Sequence, residues 1–264
     1  MSSGVCAIRP LAQLFAIEYA GLFDVLNVGL SALRLPLPLG GTSNHFRSEA
    51  LRRIGGWDAW NVTEDADIGL RLARFGYDIE TLDSTTCEEA PFTLAAFFNQ
   101  RRRWCKGWYQ TLIVLLRNPR RLLRELGPVR HAAIALTLGA NILGSLAAPL
   151  CGLCLALDVA LGAAALPANG WQDGLAGVCT MVIVAGVPAL LWPTLLGMQR
   201  RRLLRLWPVL ALLPFYWLLI CAAAWAAVFD LVRRPFHWHK TEHGLAHRRK
   251  SDGAQGVSSR RLVV

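Results

Sequence analysis

The chain has 264 residues, of which 54% are hydrophobic and 17% are charged, and its formal net charge is +10. An average soluble domain carries about 25% charged residues, so this composition excludes an ordinary soluble protein and a disordered one. Residues 1–100 carry a net charge of −5, residues 101–130 carry +8, and residues 231–264 carry +6. An acidic front, a basic collar and a basic tail around an apolar block indicate a membrane protein with a soluble head, and exclude a nucleic-acid partner.

The first 91 residues are predicted to form an α/β head. Residues 11–33 are apolar but are interrupted by Glu18 and Asp24, which predicts an amphipathic helix and not a membrane span. A short helix is predicted over residues 48–54, because two glycines follow it.

A second helix of the head is predicted to begin at Thr63, which has the residue type of an N-cap and is followed by acidic residues. Gly76 is predicted to end this helix, and residues 77–82 are predicted to form a short strand. Residues 92–130 are then predicted to form amphipathic interfacial helices that carry the basic collar, the first of them over residues 92–116.

Residues 131–230 are predicted to hold the membrane-spanning helices. Residues 174–198 and 206–229 contain no charge, and each is long enough for one span of about 20 residues. Residues 132–166 contain only Asp158 as a charged group and allow either one long helix or two short helices bent at Pro149.

The choice between three and four spans conflicts with the positive-inside rule. With three spans, the arginine loop at residues 200–205 faces the cytoplasm, and the basic tail at residues 231–264 lies outside. With four spans, the two basic segments exchange sides. Both alternatives therefore stay open at this point.

The acidic segment at the start of the second helix allows two interpretations. Thr63, Glu64, Asp65 and Asp67 could form a well-capped helix end whose carboxylates complement the helix dipole. Alternatively, one carboxylate held at the helix start could act as a general base. Asp67 is expected to be structural and to pair with a neighbouring arginine.

The segment from Gln100 to Trp104 also allows two interpretations. Its three arginines and the following aromatic residues suit a membrane-surface collar. They equally suit a site in which guanidinium groups bind a diphosphate and an indole stacks on a sugar.

Taken together, the two segments resemble the family-2 glycosyltransferases, in particular the processive, cellulose-synthase-like membrane enzymes. Thr-Glu-Asp at a helix start is followed about 35 residues later by Gln-x-x-Arg-Trp. Residues 38–47 resemble the acceptor-facing loop of that family, and residues 54–58 resemble the turn before its catalytic acid. Residues 83–91 resemble its approach to the interfacial helix, and residues 238–244 resemble a tail signature of bacterial members.

The resemblance implies an inverting transfer from a nucleotide-diphosphate sugar, usually a UDP-sugar, to a growing polysaccharide. It implies that Asp65 is the base and that Glu64 and Thr63 orient it. The residues implied to hold the donor diphosphate and the acceptor sugar are Gln100, Arg103 and Trp104, and those implied to line the acceptor site are Gly41, Thr42 and Ser43. It further implies a bacterial inner-membrane enzyme whose head faces the cytoplasm and contacts lipid.

The chain departs from this family in one respect. No Asp-x-Asp pair occurs before Asp65, so the residues that would hold a divalent metal and the nucleotide are missing. Mg or Mn is expected for the complete enzyme, with its ligands outside this chain. The chain is therefore expected to be a carboxy-terminal part that is inactive by itself, with the missing half supplied upstream or by a separate chain.

Several alternatives remain beside this hypothesis. The chain could be a non-catalytic remnant or an accessory membrane subunit that binds glycan or partners, or a small transporter. His237, His239 and His243 have a spacing close to that of metal ligands, but a headgroup-facing tail is the preferred interpretation. Trp57 and Trp108 suit sugar stacking, although Trp57 suits the core equally well.

Overall fold

A computed structural model describes residues 10–86, 88, 90–91, 93–160 and 170–235. Within these residues the chain is helical and has no β-strand. The helices are α1 (Pro10–Gly21), α2 (Asn27–Ala32), α3 (Ser48–Arg53), α4 (Glu64–Arg74), α5 (Leu94–Leu116), α6 (Pro119–Ile134), α7 (Ala140–Ala160), α8 (Gly170–Arg200) and α9 (Leu213–Arg233).

The first two helices join through a π-helical turn at Leu22–Leu26 and form one continuous helix. Its buried residues, among them Leu14, Phe15 and Ile17, point in several directions around the axis, so the predicted amphipathic pattern is wrong. The segment Pro10–Ala32 is long and apolar enough to cross a membrane. Glu18 does not keep α1 from packing inside the helical bundle, because Arg101 of α5 pairs with its carboxylate.

The two short helices of the head form where the sequence predicts them. Gly55 and Gly56 follow α3 with φ angles of 82° and 72°, a conformation that side-chain-bearing residues adopt at a cost. The α4 residues Ile68 and Leu72 pack against α3 and form the small core of the head. Thr63 occupies the N-cap position of α4, but its side chain does not cap the helix, which corrects the sequence prediction.

The strand predicted over residues 77–82 is absent, because these residues have no regular secondary structure and no strand partner in the described chain. A strand exists only when a neighbouring strand completes its hydrogen-bond ladder. Here the backbone N–H of Thr81 donates to Ser31 Oγ at 3.2 Å instead. The β component of the predicted α/β head is therefore not confirmed.

As far as residue 160, where the described part of it ends, the apolar block 132–166 is continuous helix and is not broken at Pro149. α6 bends at Gly127, and a π-helical turn at Ala135–Gly139 joins it to α7, which continues through Pro149. Within the described residues, four helical segments are long and apolar enough to cross a membrane: Pro10–Ala32, Pro119–Leu157, Gly174–Arg200 and Leu204–Arg233.

The two basic segments both contact the elements that carry the head. In the arginine loop after α8, Arg201 pairs with Asp24 and donates to Thr85 Oγ1 at 3.0 Å. Beyond the end of α9, the carbonyl groups of Arg234 and Pro235 accept hydrogen bonds from α5. These contacts place the arginine loop beside the head and residues Arg234 and Pro235 beside α5. The side of the membrane on which each basic segment lies stays a prediction. Residues 236–264, with the tail signature and the three histidines, lie outside the described residues.

Candidate active site

The first arginine of the Gln100–Trp104 segment, Arg101, packs between helices. Arg101 is 7% exposed, and its guanidinium forms two hydrogen bonds with Glu18 of α1, one of them 2.8 Å long. It also donates to the Tyr216 hydroxyl of α9 at 3.1 Å. The rings of Phe97 and Trp104 lie 4.9 and 4.6 Å from its guanidinium carbon. Arg101 therefore joins three helices, and both of its terminal nitrogens donate within the protein.

The neighbouring Arg102 is also engaged in packing, because it forms an ion pair with Asp230 near the end of α9. Arg103 differs from both. The carboxylates that act on its charge are Asp65 and Glu64 of the head, while burial lowers the pKa of its guanidinium. The Nε atoms of all three arginines are buried without a hydrogen-bond partner among the described residues, so the difference lies in the carboxylates that face them. Arg103 is thus the arginine of this segment that faces the acidic motif.

Asp65 lies half-buried at the first turn of α4, beside the loop that contains Gly40 and Gly41. Its Oδ1 accepts a hydrogen bond from the backbone N–H of Ala66 at 2.8 Å. A Cβ atom at Gly41 would lie 3.0 Å from Oδ2, so the absence of a side chain at Gly41 keeps this oxygen accessible. Burial raises the pKa of the Asp65 carboxyl, Glu64 raises it further, and Arg103 opposes the shift.

The start of α4 is held against α5 by contacts that the sequence analysis did not identify. Asn61 Nδ2 donates to Thr111 Oγ1 at 2.8 Å, and Thr111 is almost completely buried. Thr63 lies directly over Gly107: a Cβ atom there would come within 2.0 Å of Thr63 Oγ1. The sequence carries a weak signal for this contact, namely a glycine in the middle of a long helix, where it is otherwise unfavourable.

The predicted acceptor loop is exposed and is tied to the segment that precedes α5. Thr42 Oγ1 donates to a carboxylate oxygen of Glu88, and Ser43 Oγ lies 2.6 Å from Thr86 Oγ1. Together with Gly41, these contacts place the loop beside Asp65. The structure therefore brings Gly41, Thr42 and Ser43 to the same region as the acidic motif.

Gln100 and Trp104 complete the set of predicted site residues. Gln100 is 8% exposed, and its Oε1 atom has no hydrogen-bond partner among the described residues. Trp104 is half-buried, stacks on Arg101, and its ring centre lies 6.4 Å from that of Tyr19. Tyr19 belongs to an aromatic row along α1 that begins with Phe15, 4.2 Å from it, and whose i, i+4 spacing is visible in the sequence.

Asp67 is structural, as predicted. Its carboxylate pairs with Arg71 Nε at 2.6 Å, and Arg71 also donates to the Ile54 carbonyl at 3.1 Å. Burial raises the pKa of Asp67, and the charge of Arg71 opposes this. Of the two other candidate stacking residues, Trp57 is 51% exposed, and Trp108 packs against the core between the head and the bundle.

Comparison with known proteins decides the family. Residues 23–230 match the family described as glycosyl transferase family group 2, which is most of the chain. The chain belongs to this family. The resemblance of the Thr-Glu-Asp and Gln-x-x-Arg-Trp segments is thereby confirmed at the level of the family.

Individual relatives match shorter stretches of the chain. A poly-β-1,6-N-acetyl-D-glucosamine synthase of Staphylococcus epidermidis is 28% identical over 104 residues, which are 39% of this chain and 25% of that protein. A β-monoglucosyldiacylglycerol synthase of Trichormus variabilis is 38% identical over 73 residues, which are 27% of this chain and 16% of that protein. The chain thus covers a quarter or less of these relatives. No solved structure matches it.

The described residues do not fit a metal site. They contain no group of three or more histidine, cysteine or acidic residues that could hold an ion. Asp65 and Asp67 have the spacing of an Asp-x-Asp pair, but Asp67 is already paired with Arg71. No metal-dependent step can be assigned to these residues, and the predicted Mg or Mn ligands outside the chain stay a prediction.

Proposed function

We propose that this chain carries the acceptor-side catalytic residues of an inverting membrane glycosyltransferase, with Asp65 as the general base. The single observation that supports it is the position of the Asp65 carboxylate between the accessible Gly41 loop and the charge of Arg103. A half-buried carboxylate with a raised pKa, next to a cation and an open loop, is the arrangement expected of a base that must also exchange its proton.

In the proposed reaction, an acceptor hydroxyl attacks the anomeric carbon of a nucleotide-diphosphate sugar, with UDP as the preferred nucleotide. The new glycosidic C–O bond forms as the bond to the diphosphate oxygen breaks, and the diphosphate leaves with the electron pair. Asp65 takes the proton of the attacking hydroxyl. Arg103 offers positive charge to the diphosphate, which is worth most in a site that excludes water.

The other predicted residues have supporting positions in this proposal. Glu64, the exposed neighbour of Asp65, keeps the pKa of the base raised, and Thr63 holds the start of α4 against α5. Gly41, Thr42 and Ser43 line the approach of the acceptor, and Trp104 offers a ring for sugar stacking. Gln100 supplies a buried carbonyl oxygen that has hydrogen-bonding capacity left.

Two acceptor classes are open, because one relative is named for a polysaccharide and another for a glycolipid. The longer match is to the polysaccharide synthase, so we favour a growing polysaccharide. A lipid acceptor, with the membrane lipid itself as substrate, is the second candidate.

We further propose that the enzyme lies in a bacterial inner membrane with its head on the cytoplasmic side. The arginine loop contacts the head through the hydrogen bond from Arg201 to Thr85, and positively charged loops favour the cytoplasm. The nucleotide- and metal-binding half is proposed to come from outside this sequence. We therefore expect the 264-residue chain to be inactive when it is assayed by itself.

The test is sugar transfer in host membranes that contain the natural protein, with radiolabelled UDP-sugars as donors. Asp65→Asn is expected to lower the rate about 10²–10⁴-fold, the usual contribution of a general base. Asp78→Asn is the matched control, because Asp78 pairs with Arg130 on the surface. Transfer at the wild-type rate by Asp65→Asn would refute the assignment, and the labelled product distinguishes polymer from glycolipid.

A further inference from the structure

Gln110 of α5 lies between the loop that precedes α4 and the segment that follows α9. Its Oε1 atom accepts a hydrogen bond from the backbone N–H of Val62 at 3.3 Å. Its Nε2 atom donates to the carbonyl oxygen of Pro235 at 3.0 Å. An amide side chain can accept with one end and donate with the other, so one residue joins both segments.

The segment after α9 is held at two successive carbonyl groups. One turn before Gln110 on α5, Lys106 donates to the Arg234 carbonyl at 2.6 Å. Lys106 is 2% exposed, and Asp230 of α9 contributes a favourable charge to it. The end of α9 is therefore anchored on the same part of α5 from which Gln110 reaches the head.

On the other side, Val62 leads directly into the motif that contains the proposed base. The next residue, Thr63, lies over Gly107 with no room for another atom, so the loop packs closely on α5. Asp65 follows two residues later, beside Gly41. Val62 and Asp65 are three residues apart in the chain, so a displacement of Val62 would also move the Asp65 carboxylate.

We propose that Gln110 is a positioning residue through which the end of α9 holds the Asp65 loop in its working geometry. The inference rests on the proposed role of Asp65, and it adds a residue that lies outside both sequence motifs. Two hydrogen bonds of this one side chain join the end of α9 to the catalytic motif. Helix α9 belongs to a segment that is long and apolar enough to span a membrane. Gln110 itself contacts neither sugar nor nucleotide in this proposal.

Two substitutions separate the two hydrogen bonds. Gln110→Leu removes both, whereas Gln110→Glu keeps an acceptor for Val62 and loses the donor to Pro235. Lys106, four residues earlier on the same helix face, favours the ionised form of the new carboxylate. Gln199→Leu on the exposed end of α8 is the matched control.

In host membranes that contain the natural protein, Gln110→Leu is expected to lower kcat at least tenfold while the donor KM changes less than twofold. Gln110→Glu is expected to lower kcat at least threefold, because the side chain has lost its anchor on Pro235. A merely destabilising substitution would instead reduce the amount of active enzyme without this dependence on which bond is lost. Wild-type kcat in Gln110→Glu would overturn the link to α9.

Hydrogen exchange of the natural protein in lipid nanodiscs gives a readout that does not depend on activity. In both variants, residues 58–66 are expected to exchange at least fivefold faster, while the α4 interior around Ile68 keeps its protection. Unchanged exchange at residues 58–66 in Gln110→Glu overturns the inference. If instead the exchange changes as expected and the wild type transfers no sugar, the link stands and the proposed function fails.

Discussion

Helix α5 presents two surfaces that use the same residue type in opposite ways. Arg101 and Arg102 point to the helical bundle, where Glu18 and Asp230 neutralise them. Arg103 points to the head, where Glu64 and Asp65 are the nearby acids. The first two arginines are bound to carboxylates of the bundle, which leaves Arg103 as the member of the triplet that can offer charge to a substrate.

The three consecutive arginines therefore do not act as one positively charged patch. Each guanidinium is committed by the carboxylate that a different part of the fold brings to it. Where the arginine is buried and its partner lies in the bundle, as Arg101 with Glu18, the pair is a structural element. Arg103 instead faces Asp65 and Glu64 beside the exposed loop at Gly41, so its charge remains available to a substrate.

The largest expected effect is that of Arg103→Leu on activity. Removing the charge that faces the diphosphate is expected to lower kcat/KM about 10²–10³-fold, as for the loss of one preorganised stabilising donor. The melting temperature should stay within 1 °C of the wild type, because no described residue depends on Arg103 as an ion-pair partner. Kinetics and thermal unfolding in the same detergent measure both; a large loss of stability would contradict the assignment.

The opposite result is expected for Arg101→Leu. It leaves the Glu18 carboxylate without its partner among apolar rings, which is expected to cost about 2–3 kcal/mol, somewhat less than for a fully buried pair because Glu18 is partly exposed. The double variant Arg101→Leu with Glu18→Leu should recover much of this loss. Denaturant unfolding is the measurement, and equal stability of single and double variants would count against the pair.

A smaller effect is expected at the contact between α5 and the acidic loop. Gly107→Ala places a Cβ atom against Thr63, which is expected to cost about 1–3 kcal/mol and to shift Asp65. The matched control is Gly29→Ala on α2, where an added Cβ atom meets nothing within 4 Å. Comparison of the unfolding midpoints and of kcat tests the contact, and identical behaviour of both alanine variants would argue against it.

The smallest expected effect is on the pH dependence of transfer. Asp65 must be ionised to act as a base, so the rate falls as the pH drops through its pKa, which burial raises above 3.8. Glu64→Gln removes the negative neighbour and therefore lowers that pKa, which moves the acidic limb of the profile to lower pH. A limb that moves to higher pH in this variant would show that Glu64 does not act on the base in this way.

The sequence determined the elements with strong local signals. The long helix around Gln100–Trp104 and the helix after Thr63 lie where periodicity and glycines predict them. The family follows from motifs that stand in order along the chain, and the match over residues 23–230 agrees with it. Local sequence is sufficient there, because helix ends and motif order depend on residues close together in the chain.

Only the tertiary structure decided how those elements are used. It divided the three arginines between packing and site, since Glu18 and Asp230 lie 83 and 128 residues away from them in the chain. It also showed the segment around Tyr77–Leu82 without a strand, because pairing depends on a distant partner. The position of Gln110 between Val62 and Pro235 belongs to the same class: burial, charge pairing and strand pairing depend on neighbours that sequence order does not reveal.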